Sequence, residues 1–164
     1  MWNSGLDKSI FLADLIAVLN KALGDAINAA NVARETATDA ENVAENRYDT
    51  LGLEAAYLAH GQSKRALELE TTIATFKRLN SQIGQSMKVV LGSLVEVTDE
   101  SNNRRFFLIG PGAGGMTVIS QGQEVLVLTI DAPLGRALHG KKVDDEVNAV
   151  ATATSGWFTV TRII

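Results

Sequence analysis

The 164-residue chain has no cysteine, only two histidines, and only two prolines. Without thiols it can build neither a disulfide framework nor a thiolate zinc site, and zinc-ribbon architectures are excluded with them. His60 and His139 lie far apart in sequence, and nothing in it pairs them, so a resident structural metal is not expected. Aromatics amount to 5% of the chain, too few to line a deep aromatic pocket. No stretch approaches the roughly 20 apolar residues that would cross a bilayer, and Asp7, Lys8 and Asp14 interrupt the first apolar run. A cytoplasmic protein without membrane contact is expected. With a pI near 5.2 there is no general basic face for phosphate binding.

What is present is unevenly placed. Between Glu35 and Glu54 the carboxylates Glu35, Asp39, Glu41, Glu45, Asp49 and Glu54 face a single base, Arg47, although the whole chain carries a formal charge of only -4. Lys64, Arg65, Lys77, Arg78, Lys88, Arg104 and Arg105 follow later. Such a run is often just a solvated helix face, and acids at a helix start favour the macrodipole. That accounts for Asp49 and Glu54 but not for Glu41 and Glu45, which fall near the end of the preceding helical pattern.

From Leu12 the positions Leu12, Leu15, Leu19, Ala22, Ala26, Ala29, Ala33, Thr36, Ala40 and Val43 keep 3-4 spacing, the period of a helical packing seam. After "RYDTLG" the spacing resumes at Leu51, Ala55, Leu58 and Gln62, takes an extra four-residue step to Ala66, and continues through Leu69, Ile73, Phe76, Asn80 and Ile83. The extra step reads as a stutter, which locally unwinds a supercoil. Two long helices joined by a short turn predict an antiparallel hairpin with its turn near Asn46 to Gly52 and Asp49 or Thr50 as the second N-cap. The acidic run then falls at the turn. Alanine in the seam predicts close backbone approach.

Past Met87 the period changes to that of strands. "VVLGSLVEVTD", "RRFFLIGP", "QEVLVLTI", "EVNAVATA" and "GWFTVTRII" predict a compact antiparallel sheet of about five strands. One short helix is expected at "APLGRALHG", with Pro133 in its first turn and Gly140 at its stop. "GPGAGG" has no Lys-Ser/Thr after it and precedes no helical pattern, so it reads as a hairpin turn and not as a phosphate loop. The change of period at Ser81 to Lys88 divides the chain into a helical arm, 1–84, and an α+β remainder, 85–164. His60 is expected as a half-exposed packing residue, Tyr57 as a seam aromatic, and His139 as the residue closing the short helix.

"TIDAPLGRALHGKKVDDEV", Thr129 to Val147, resembles the hallmark of the Gre-type transcription elongation factors, S-P-[IL]-G-[RK]-A-L-[LI]-G-K-x-x-G-D-x-V. Ala132 stands where that pattern has serine, His139 where it has an aliphatic residue, and Asp144 where it has glycine. "KVVLGSLVEV" and "RRFFLIGP" are similar to the first two strands of that family's C-terminal domain. "YDTLGLEAAYLA" is similar to the start of its second arm helix, G-D-L-x-E-N-A-E-Y-x-A-A. There the family's tip acids are three residues apart, whereas Asp49 and Glu54 are five apart, with Gly52 in the second acid's place.

The resemblance implies an arm that enters the secondary channel of bacterial RNA polymerase and an FKBP-like C-terminal domain that docks on the enzyme. Asp49 and Glu54, then Glu45 and Glu41, become the acids that reach a magnesium ion shared with the polymerase active site, where backtracked RNA is cleaved. Pro133, Gly135, Arg136, His139 and Lys141 become the docking residues. The protein would own neither an active site nor a cofactor and would act as a monomer, with DNA met in the transcription complex. A non-cleaving channel regulator of the same architecture is the alternative. Prolyl isomerisation, which the FKBP-like fold suggests, lacks the aromatic pocket it needs: Phe106, Phe107, Trp157 and Phe158 form adjacent pairs pointing to opposite faces of a strand.

Overall fold

The computed structural model describes residues 5–43, 50–81, 86–149 and 156–164, with no side chains described at 40–43 and 80–81. Two long helices, α1 (Lys8–Val43) and α2 (Leu51–Ser81), precede six strands and a short helix: β1 (Leu94–Asp99), β2 (Arg104–Gly110), β3 (Thr117–Ser120), β4 (Gln123–Thr129), α3 (Pro133–Leu138), β5 (Glu146–Ala149) and β6 (Gly156–Ile163). Packing divides the chain into one unit of 1–16 with 74–164 and another of 17–73.

Asp7 starts α1. Its Oδ1 accepts from the backbone N–H groups of Ser9 (2.8 Å) and Ile10 (3.1 Å) and from the Ser9 hydroxyl (2.7 Å), satisfying donors that a helix start leaves orphaned. The Ser9 hydroxyl, followed by these amides, holds the Asp7 carboxyl below its ordinary value.

In the unit 17–73 the two helices run antiparallel. Arg34 Nη2 donates to Ser63 Oγ (3.5 Å); Ala37 and Thr38 line one groove with Ala56 and Ala59, while Ile27 and Ala30 line another with Leu67 and Glu70. Ala26, Ala30, Ala33 and Ala37 are buried, as are Ala55, Ala59 and Ala66. A methyl group at each of these positions lets two backbones pack with little between them. The seam differs from expectation in two places. Ala30 and Ala37 are buried where Ala29 and Thr36 were expected, and Ala59 replaces Leu58, which is 55% exposed. The larger side chains turn aside because an interface this close has no room for them. With Ala59 in register, the partly buried Gln62 and Leu69 complete regular 3-4 steps from Ala55 to Phe76, and the expected stutter is absent. Ala40, Val43, Asn80 and Ile83 lie outside the described side chains.

In the other unit the strand order is β3-β4-β2-β1-β6-β5. All neighbours are antiparallel except β2 and β4, which are parallel from Phe106↔Val125 to Gly110↔Thr129. The sheet therefore has six strands and one parallel pair, where about five antiparallel strands were expected. The missed strand is β3, whose four residues are too few for a visible alternation. It also changes the role of "GPGAGG": the segment carries the chain from β2 past β4's position to an edge strand, so it is not a hairpin turn. The tight hairpin is β3–β4, closed by Gln121 and Gly122, both at positive φ (52° and 76°), as a primed two-residue turn requires.

Both faces of this sheet are covered, which is why the consecutive Phe106 and Phe107 are both buried. On one face Val95, Val97, Phe107, Ile109 and Phe158 pack with Leu134 and Leu138 of α3. Phe107 and Phe158 meet edge to face at 6.3 Å, filling the space an aromatic pocket would need. On the other face Phe76 Cζ and Val127 occupy the space a side chain at Gly110 would take, and Ser120 Oγ donates to Asp14 Oδ2 at 2.5 Å. Glu96 points to the same face, 8% exposed, and accepts from Arg104 Nε at 2.6 Å.

The β1–β2 turn is organised by Asp99. The backbone N–H of Asn103, followed by its side-chain amide, the N–H of Ser101 and the Arg105 guanidinium, holds this carboxyl below its ordinary 3.8. A depressed folded-state pKa contributes stability above the unfolded value and loses it as pH falls through the folded value. Asp99→Asn should therefore lower the thermal midpoint at neutral pH, and the gap to wild type should close as pH falls below 3.8. A gap unchanged at low pH would show that the carboxylate's charge is not what orders the turn.

Candidate functional site

The two sets of residues singled out in the sequence fall in different units, and each is built locally. In the unit 17–73, Asp49 and Glu45 lie outside the described residues, and Glu41 lies in α1 without a described side chain. Glu54 sits in the first turn of α2, exposed. Its backbone N–H donates to Thr50 O (2.9 Å), and its Oε1 accepts from the Thr50 hydroxyl (3.1 Å). Thr50 thus takes the N-cap place foreseen for Asp49 or Thr50. The same first turn carries Leu51 and Leu53, the latter 57% exposed. Tyr57, 71% exposed, points outward and not into the seam, and His60 is exposed instead of half-packed. All of the chain's net negative charge is in this unit: 17–73 holds nine acids against five Lys and Arg, the remainder ten of each.

In the other unit, α3 follows β4 so closely that Gly135 has no room for a side chain. An added Cβ would run into the Thr129 carbonyl oxygen. Pro133 takes the first helical position, where its missing N–H removes no bond. Ala132 at the N-cap makes no side-chain cap. The helix stops at His139, and Gly140 follows at φ 81° with its N–H on Val89 O (2.7 Å). Asp144, at φ 71°, occupies the left-handed region where the family pattern has glycine; a short polar side chain tolerates it best. Of the expected docking residues, Pro133, Arg136 and His139 are exposed, Lys141 is partly buried and Gly135 is buried. Arg136 Nη2 donates to Asp131 O (3.0 Å) and Lys141 Nζ to Glu146 O (3.3 Å), so both cations also brace their own loops.

Beside them lies a patch the sequence reading missed. Val89 pairs with the end of α3 through its N–H to Lys141 O (2.8 Å), and its neighbours Met87 (86% exposed), Val90 and Leu91 stand in the open. Reading "VVLGSLVEVTD" as one strand hid them. In fact Val90 to Ser93 is a tight turn, with Gly92 at φ 88°, and β1 begins only at Leu94. The glycine inside the apolar run was the available signal. Gly135→Ala should destabilise this unit by about 2–3 kcal/mol, because α3 can move off Thr129 only by unseating Leu134 and Leu138. A urea midpoint equal to wild type would show that the helix relaxes freely.

Residues 84–164 match the family described as transcription elongation factor GreA/GreB, C-terminal. The chain thus carries a Gre-type C-terminal domain. It is 28% identical over 103 residues to transcription elongation factor GreA of Mycoplasma pneumoniae, across 61% of this chain, and it spans 60% of the length of that relative. Among solved structures it is similar to Gfh1, GreA factor homolog 1, of Thermus thermophilus, with 21% identity, coverage of 91% of this chain and 94% of that one, and a TM-score of 0.37. It is also similar to Thermus aquaticus Gfh1, with 22% identity, coverage of 96% of each chain and a TM-score of 0.39. At these identities and scores the likeness carries no argument about function. The Gre-type match covers α3 and the apolar patch beside it, but not the helical pair with its acids.

Among the described residues no three His, Asp or Glu side chains are grouped to hold a metal. Glu54, the one acid of the expected set with a described side chain, is an exposed carboxylate, a hard oxygen donor of the kind magnesium takes.

Proposed function

We propose that this protein is a transcription elongation factor acting on RNA polymerase, whose helical pair enters the secondary channel and presents acids to a magnesium ion at the polymerase active site. The match of residues 84–164 to the GreA/GreB C-terminal domain carries this reading. Concentration of the whole net charge in the unit 17–73 supports it, because an anionic probe suits a cationic target. Residues around α3, with Met87, Val90 and Leu91, supply the mixed apolar and basic surface expected of a docking face. Asp49 and Glu54 would be the principal ligands, with Glu45 and Glu41 acting through water or at longer range. In a two-metal site the second ion clamps the attacking and leaving oxygens of the displacement. The catalytic site would be the polymerase's, and this chain would work in the cytoplasm without touching a membrane; among the described residues no helix is long and apolar enough to cross one.

A second reading is favoured by the first turn of α2. Leu51 and Leu53 make that turn apolar, Gly52 stands where the family pattern has its second acid, and Glu54 Oε1 is already engaged by Thr50. A factor so built would occupy the channel and inhibit without stimulating cleavage. Incubating the protein with a stalled, backtracked elongation complex separates the two. Shortened RNA supports the first reading; slowed elongation without shortening supports the second; no effect and no binding to polymerase would refute both.

A further inference from the structure

The helical pair carries two positions whose residues weaken the helix for no packing reason. Gly24 lies inside α1 and Gly61 inside α2, and a side chain at either would meet nothing within 4 Å. Glycine inside a helix is less favourable than alanine, so neither position is explained by local fit. Each helix also holds a pair of threonines bonded back onto its own carbonyls: Thr36 to Val32 O (3.0 Å) and Thr38 to Arg34 O (3.0 Å) in α1, Thr71 to Leu67 O (2.9 Å) and Thr72 to Glu68 O (2.8 Å) in α2. Such bonds compete with the helix's own ladder and favour bending.

The two sets coincide in level. Arg34 and Ser63 are opposite each other in this antiparallel pair. Two residues along that register, Gly61 falls opposite Thr36; ten residues the other way, Gly24 falls opposite Ile73, next to Thr71 and Thr72. A weak point in one helix thus meets a weak point in the other, twice. The buried residues between the two levels, Ala26, Ala30 and Ala33 against Ala66, are all small. They interlock little, so flexing at either level shifts the pair without unseating large side chains.

We infer that the unit 17–73 contains two built flexure points, one at Gly24 with Thr71 and Thr72, the other at Gly61 with Thr36 and Thr38. Between them the helical pair moves as a stiff segment. The device lets a long helical pair follow a curved or moving cleft without melting, and it holds whatever the partner is.

Residue-resolved hydrogen exchange on the full chain tests it. Amides within one turn of Gly24 and Gly61 and of the two threonine pairs should exchange at least about fivefold faster than those of residues 28–32 and 65–67, the factor corresponding to glycine's ~1 kcal/mol deficit against alanine. Gly24→Ala and Gly61→Ala should each slow exchange by about that factor at their own level and at the threonines opposite, while the other level stays unchanged. Uniform protection along both helices overturns the inference. So does a response confined to the substituted helix, which would make each glycine an isolated defect and not half of a joint.

Discussion

Asp49→Asn combined with Glu54→Gln should abolish any stimulated shortening of backtracked RNA while leaving the fold and polymerase binding close to wild type. Both replacements keep the shape and the neutral hydrogen-bonding capacity of the originals. The Thr50 hydroxyl, which donates to Glu54 Oε1, still finds an amide oxygen to bond. What disappears is the anionic oxygen that magnesium requires, with its favourable charge at the start of α2, a loss of about 0.3–1 kcal/mol. That is too little to unfold a 31-residue helix held along its length. The measurement is RNA length against time in a backtracked complex, alongside circular dichroism and a polymerase pull-down. Wild-type shortening by the double variant would remove both residues from the ligand set and leave Glu41 and Glu45 as the pair to test. Loss of binding together with shortening would instead make the acids part of the docking surface.

Phe76→Ala should destabilise the protein by about 3–5 kcal/mol, the range for deleting a fully buried phenylalanine. Phe76 is completely buried near the end of α2, and its ring occupies the space over Gly110 in β2. Removing it leaves a cavity that neighbouring Val127 is too short to fill. Leu51→Ala, in the exposed first turn of the same helix, should stay within about 0.5 kcal/mol of wild type. Urea unfolding monitored by far-ultraviolet circular dichroism gives both values. Similar losses at the two positions would mean that Leu51 is buried in solution, and a small loss at Phe76 would mean that α2 and the sheet are not packed as described.

Much of this was written in the sequence. The 3-4 period specified two helices, because only a helix brings residues at that spacing to one face, and the antiparallel sense followed from the shortness of the link between them. Pro133 and Gly140 marked the ends of α3 through their own backbone restrictions. The motif from Thr129 to Val147 pointed to the Gre type, and the family match agrees. The position of the acids along the chain was equally plain, since charge is a local property.

Tertiary structure decided what depends on a neighbour distant in sequence. Whether Ala29 or Ala30, Leu58 or Ala59 enters the seam turns on the distance between two backbones, and period alone tolerates either choice. Tyr57 fits a helical stripe, yet it lies exposed because the opposing helix comes too close to admit it. β3 is four residues long, and it becomes a strand only because β4 pairs with it; its insertion then makes β2 and β4 parallel. Phe106 and Phe107 show the same limit: alternation predicts opposite faces, but only the tertiary structure covers both, with α3 packed on Phe107 and the Arg104 guanidinium lying over the Phe106 ring.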